Sequence, residues 1–169
     1  MTLFITTPRK TMSNPIISIR HAKLGDLPEV QKMFVDTITT VCKVDYSPTQ
    51  IKAWTSSTEN TQNWTDRLIS QFFLVAELGN QIVGFASLKH DDYLDLMYVH
   101  KDHQRQGIAD KLYGGIEKEA IKRKASKIIS DVSITARPFF EKKGFIVQTE
   151  QSNLIHGIEI INYKMTKLL

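Results

Sequence analysis

One junction in this chain constrains its fold more than any other. An apolar strand pattern, Tyr93 to Val99, passes through a polar loop into a helical pattern that starts at Gly107. Ile108, Leu112, Ile116 and Ala120 then recur at every fourth position towards Lys124, the stripe of an amphipathic helix. Lys127 to Ile134 reads as a strand again, so the segment from 93 to 134 is a strand, helix, strand unit crossing a central sheet. In such a unit the helix begins beside a strand end, with its first N–H groups unpaired and the positive end of its dipole facing outward. The connecting loop carries Lys101 and Arg105 and closes on Gly107, where no Cβ keeps a ligand from the backbone. Gln104 to Ala109 is therefore expected to bind phosphate oxygens through backbone amides.

The remainder of the chain supplies the sheet and its cover. Ile16 to Arg20 alternates like a half-buried strand, and Gly25-Asp26 with Pro28 opens a helix over about Leu27 to Cys42, with Asp26 as its N-cap. Ser47-Pro48 starts a short helix, Pro48 to Trp54. Thr55 to Asn63 reads as a loop, and Trp64 to Ser70 as a third short helix. Phe72 to Leu78 and Ile82 to Lys89, joined at Gly79-Asn80, form a hairpin that continues into Tyr93 to Val99 as an antiparallel meander. Arg137 to Lys143 is a short helix closed by Gly144, and Phe145 to Thr149 with Glu159 to Lys167 make a last strand pair. The expected fold class is α/β: a mixed, mostly antiparallel central sheet of six to seven strands flanked by helices. It occupies residues 16–169 as a single domain, behind a disordered tail at residues 1–15, and 169 residues suit one core better than two.

Composition removes several alternatives. With 41% hydrophobic and 24% charged residues the chain lies far from the disordered class. A single cysteine, Cys42, allows no intrachain disulfide and no cysteine zinc cluster, which favours a reducing, cytoplasmic setting. Its surroundings, Thr-Val-Cys-Lys, carry no nucleophile signature, so Cys42 is read as a helix-face residue. Nothing at the N-terminus resembles a secretory signal, and no apolar run approaches the ~20 residues of a membrane helix, so no membrane partner is expected. The net charge of +4 comes from scattered residues, and the clusters at Lys122 to Lys124 and Lys142-Lys143 suit helix C-termini, so no nucleic acid is expected. His90, His100 and His103 are placed near the cradle, but they lack a third ligand and no metal is expected.

Gln104-x-x-Gly107-x-Ala109, following Leu94-Asp95-Leu96-Met97-Tyr98-Val99, resembles the acetyl-CoA motif of GNAT-type (GCN5-related) N-acetyltransferases. Ala136-Arg137-Pro138-Phe139-Phe140-Glu141-Lys142-Lys143-Gly144-Phe145 is similar to that family's later helix and turn, and Tyr46-Ser47-Pro48 to Trp54 to an earlier segment of many members. The likeness covers essentially the whole chain after residue 15. It implies transfer of the acetyl group of acetyl-CoA to a primary amine of a small molecule or peptide, by direct attack in a ternary complex, with a homodimer left open. Carried over by position, the amides of Gln104, Arg105, Gln106, Gly107, Ile108 and Ala109 would hold the CoA diphosphate. Met97, Tyr98 and Val99 would pair with the pantetheine as an added strand, with Lys127 to Ile134 as the second wall of the gap. Ser133 stands where many members have an Asn on the cofactor, and Phe139, Phe140 and Lys142 complete the contacts.

The resemblance also implies a general base on the cofactor strand, a position held here by Asp95, whose alternative is a strand-face carboxylate in solvent or an ion pair. The family's usual acid, a Tyr in the later helix, aligns with Phe140, which has no proton to give. Tyr98 could donate instead or merely pack; water could protonate the thiolate, or the thiolate could leave as such, which we favour together with water. For the acceptor, Trp54, Trp64, Phe34 and Tyr46 offer aromatic surface and Asp45 and Glu59 negative charge, against the plainer reading of core and surface. The alternative to an enzyme is a non-catalytic acyl-CoA sensor or interaction module.

Overall fold

The computed structural model describes residues 16–169; the expected tail, 1–15, lies outside them. Seven strands form one sheet in the order β1-β2-β3-β4-β5-β7-β6: β1 Ile17–His21, β2 Phe72–Leu78, β3 Gln81–Lys89, β4 Tyr93–Val99, β5 Lys127–Ser133, β6 Ile146–Ile155 and β7 Ile158–Leu168. Every neighbouring pair is antiparallel except β4 and β5. The helices are α1 Leu27–Val41, α2 Pro48–Thr55, α3 Thr61–Ser70, α4 Ile108–Lys122 and α5 Arg137–Lys142. None of the described helices is long and apolar enough to cross a membrane.

The apolar residues divide between the two faces of this sheet. On one, Phe34 and Ile38 of α1 and Trp64 of α3 pack against Phe73, Phe85 and Leu96. On the other, Leu112 and Ile116 of α4 pack with Ala86, Leu88, Ile128 and Met165. Each fully buried Leu or Ile contributes about 1.5–3 kcal/mol relative to exposure, which is what holds short helices on the sheet. Gly84 in β3 sets how closely α4 approaches: a Cβ there would lie 2.8 Å from Ile108 Cγ2 and 2.9 Å from Leu112 Cδ1. The start of α4 is thereby pressed onto the sheet.

Three expectations need correction. Asp26 gives no side-chain cap to α1. It closes a 3-10 turn, accepting from the Lys23 N–H at 2.7 Å and from Arg20 at 2.7 and 3.0 Å, and the Arg20 guanidinium holds its carboxyl below the usual range. Helix α3 starts at Thr61 rather than Trp64, because the Asn60 side chain accepts from the Asn63 N–H at 3.0 Å and caps the polar first turn. Strand β6 runs past Thr149 to Ile155 before turning at His156-Gly157. It is an edge strand with an exposed polar stretch, Gln148-Thr149-Glu150, followed by the polar Gln151-Ser152-Asn153, so apolar alternation does not mark it.

Candidate functional site

Strands β4 and β5 share one backbone pair, Tyr93 with Ile129, and then part. The parting follows from a bulge in β4. Leu94 lies opposite Leu88 and Leu96 opposite Ser87, leaving Asp95 unopposed. Strict alternation would put Leu94 and Leu96 on one face; instead Leu94 joins the α4 side and Leu96 the α1 side of the core. A cavity of about 590 Å³ fills the gap, running from the start of α4, between β4 and β5, to the C-terminal end of α1.

The donor end is made mainly of backbone. Gly107 caps α4 with φ 77° and no side-chain bond, and Arg105 also has a positive φ of 59°. These left-handed residues curl the loop so that the unpaired first N–H groups of α4 face the cavity, which Gly107, Ile108 and Ala109 line. A Cβ on Gly107 would meet no protein atom within 4 Å, so the chain leaves room beside this turn. Gln104 serves the loop by its side chain: Nε2 donates to the carbonyls of Val99 at 2.7 Å and His100 at 3.3 Å, tying the cradle to the end of β4. Burial, aided by neighbouring His103, pushes the pKa of His100 down, so its ring adds no fixed charge at neutral pH.

The His100 N–H donates to Val83 in β3, so the N–H and C=O of Val99 point the other way, into the gap, and those of Met97 follow by the two-residue repeat. Gln104 and the Thr37 hydroxyl, at 3.2 Å, already take the Val99 carbonyl. Among the described residues the Val99 N–H and both groups of Met97 have no strand partner on this side and form a free edge. Ser133 and Phe139 line the opposite wall with buried Phe140, and the Ser133 hydroxyl accepts from the Ala136 N–H at 3.1 Å, shaping the turn into α5. Gln106 and Lys142 are exposed and lie outside the lining. The next residue, Lys143, lies back over the Tyr113 and Phe139 rings instead. His90 sits in the turn before β4, at the far end of the strand from the cradle.

Asp95 lines the cavity with its side chain 15% exposed, accepting from Gln71 Nε2 at 2.8 Å with Arg67 Nε 3.5 Å away. It is thus both a paired carboxylate and a group facing the gap. Tyr98 stacks on Phe85 with centroids 5.3 Å apart and meets Phe34 edge-on at 4.9 Å, and burial raises the pKa of its hydroxyl well above the ordinary value. Of the four acceptor aromatics, only Trp54 lines the cavity. Phe34 and Trp64 are core, and the Tyr46 hydroxyl is held between the Ile134 N–H and the Ile161 carbonyl, its pKa pushed up by burial to about 12. Asp45 accepts from Thr135, and Glu59 belongs to a separate shallow depression.

Sequence reasoning missed Thr37, Val41, Cys42, Asp110 and Thr135 as lining residues. Thr37 and Val41 are one turn apart at the end of the α1 stripe, a signal that shows a shared face without telling what it faces. Cys42 is buried, and that burial raises its pKa, so it stays a thiol at neutral pH. Among the described residues no group of three His, Cys, Asp or Glu is placed to hold a metal ion.

Residues 42–167 match the acetyltransferase (GNAT) domain model. The chain is 34% identical over 149 residues to the uncharacterized N-acetyltransferase YafP of Escherichia coli K12, covering 88% of this chain and 94% of that one. Its fold matches a GCN5-related N-acetyltransferase from Rhodopseudomonas palustris with a TM-score of 0.88 at 34% identity, over 94% of this chain and 98% of that one. The PaiA N-acetyltransferase of Thermoplasma acidophilum, solved with coenzyme A, shares the fold with a TM-score of 0.77 at 19% identity, over 91% and 99% of the two chains. The chain belongs to the GNAT acetyltransferase family and is an acetyl-CoA-dependent acyltransferase. The open cradle at Gly107 and the free edge of β4 fit acetyl-CoA as the donor.

Proposed function

We propose that this enzyme transfers the acetyl group to a primary amine of a small molecule or peptide by direct attack in a ternary complex. The observation that carries this reading is the continuous cavity in which the cradle at Gly107, the free edge of β4 and the carboxylate of Asp95 lie together. Acetyl-CoA, when bound, supplies the thioester carbon that the amine attacks. The amides from Gln104 to Ala109 hold the diphosphate, with Gly107, Ile108 and Ala109 nearest, and Met97 and Val99 receive the pantetheine as an added strand. Ser133, Phe139 and Phe140 close the other side.

Asp95 takes the proton of the incoming ammonium, directly or through water, while Gln71 and Arg67 hold its carboxylate in place. Phe140 cannot serve as the acid. Tyr98, whose ring is locked between Phe34 and Phe85, is assigned to shaping the acceptor side rather than to donating a proton. Water protonates the leaving thiolate, or it departs as such, since a thiol pKa near 8.5 makes it a tolerable leaving group at neutral pH. The buried, unpaired Cys42 suits a reducing, cytoplasmic setting. The test is thiol release from acetyl-CoA in the presence of polyamines, aminoglycosides, amino acids or peptide N-termini. Release above the amine-free rate with one class supports the proposal; calorimetric binding of acetyl-CoA without turnover on any class would turn it into that of a sensor.

A further inference from the structure

The charges that line the cavity are divided between its ends. Arg105 and Asp110 stand at the cradle, whereas Asp95 and Asp131 stand where β4 and β5 begin to part. Each of these two carboxylates lies two residues beyond the one backbone pair, Tyr93 with Ile129, so they are level across the narrow end of the gap. Ile128 and Val132 pack on the α4 side, which by alternation turns Asp131 to the α1 side, where Gln71 and Arg67 meet Asp95. The Tyr93 hydroxyl lies near both: burial first, then its bond to Asp131 and the charges of Asp131 and Asp95, raise its pKa, so it stays a donor. The two carboxylates differ in their partners. Asp95 has the Arg67 guanidinium beside it, but Asp131 accepts only from neutral groups, the Tyr93 hydroxyl at 2.8 Å and Gln151 Nε2 at 2.8 Å. None of the ion pairs among the described residues includes Asp131. Lys164 lies opposite it on β7, exposed and unbonded to it. Tyr93 and Gln151 could bond the carbonyl of an asparagine equally well, so they fix the direction of Asp131 without using its charge.

We infer that Asp131 sets acceptor specificity by holding a second ammonium group of the acceptor while the reacting nitrogen lies at Asp95, so that the substrate is a short aliphatic diamine. The inference rests on the proposed transfer to a primary amine and narrows its substrate class. A flexible dication can reach two carboxylates that face each other across diverging strands, and Trp54 and Tyr98, which line the same end, offer apolar surface to the carbons between its charges. A monoamine of the same length forfeits the charge-assisted hydrogen bond to Asp131. Acetylation removes the charge of the reacting nitrogen, so the product is held by one carboxylate where the substrate was held by two, which favours its release.

The test compares putrescine with butylamine, which has the same chain and one ammonium fewer, in thiol release from saturating acetyl-CoA by the wild-type protein, Asp131→Asn and Tyr93→Phe. Putrescine is also titrated calorimetrically into each protein saturated with coenzyme A, and the thermal unfolding of each is measured. The wild-type protein is expected to prefer putrescine about tenfold or more in kcat/KM at low salt, and less at high salt. Asp131→Asn should cut that preference about tenfold, through the KM of putrescine. Tyr93→Phe, which leaves the charge but frees its direction, should cut it about threefold. No preference in the wild-type protein, or a preference that Asp131→Asn leaves intact, overturns the role of Asp131 while transfer to a primary amine stands. Putrescine binding that depends on Asp131, without thiol release from either amine, overturns the transfer and upholds the second-cation site. Neither heat nor thiol release overturns both.

Discussion

The two ends of the cavity are built from different material. The end proposed for the donor is backbone: the first N–H groups of α4, a left-handed Gly107 and the free edge of β4. The end proposed for the acceptor is side chains drawn from elements distant in sequence, with Thr37 and Val41 from α1, Trp54 from α2, Asp95 from β4 and Thr135 beyond β5. Backbone sites need a particular local conformation and tolerate many side chains; side-chain sites need particular residues and can be changed one by one. The donor end should therefore fail all at once when its backbone is disturbed, and the acceptor end by degrees.

The largest effect is expected from Gly107→Val. A branched residue at φ 77° costs about 1–2 kcal/mol of strain and fills the open space that the diphosphate needs, so acetyl-CoA binding should weaken about 100-fold or more by calorimetry. Wild-type affinity in that variant would move the phosphate site elsewhere. Next, Asp95→Asn should lower kcat about 100-fold while leaving the dissociation constant of acetyl-CoA unchanged; a parallel loss of both would make Asp95 part of the donor end instead. Trp54→Ala should raise the acceptor KM about tenfold with little change in the acetyl-CoA KM. If acetyl-CoA suffers more, the division between the two ends is wrong.

The smallest effect concerns pH. The folded-state pKa of His100 lies below its unfolded value, so the unfolded chain binds the extra proton first and stability falls as pH drops below about 6.5 towards the folded value. His100→Gln should flatten that decline in melting temperature, and it should do so without altering acceptor KM at pH 7.5. An unchanged decline would assign the acid sensitivity to other groups, such as the carboxylate of Asp26, whose lowered pKa gives stability that is lost only at much lower pH.

How much of this was legible follows the same division. The cradle could be read because its requirements are local: a strand, a glycine that adopts a positive φ, and a four-residue apolar repeat, all within one stretch of chain. Six of the seven strands lie where alternation and turn residues put them, with limits shifted by a residue at most. Strand β6 ran beyond its expected end because its outer edge and exposed face ask for no apolar pattern. The acceptor lining was poorly legible: Phe34, Trp64 and Tyr46 look as suitable as Trp54 in sequence, and only packing separates the ring that reaches the cavity from those that fill the core.

By itself, then, the sequence determined the mixed α/β architecture and the loop and helix start on which the proposed phosphate cradle is built, since both depend on periodicity and local backbone chemistry. Tertiary structure alone decided that the bulge at Asp95 parts β4 from β5 and reverses the faces of Leu94 and Leu96. It also decided that Gln104 ties the loop to Val99 and that Lys143, rather than Lys142, reaches Asp110. These are matters of register and direction, which depend on what the neighbouring elements leave open and not on any pattern within a single segment.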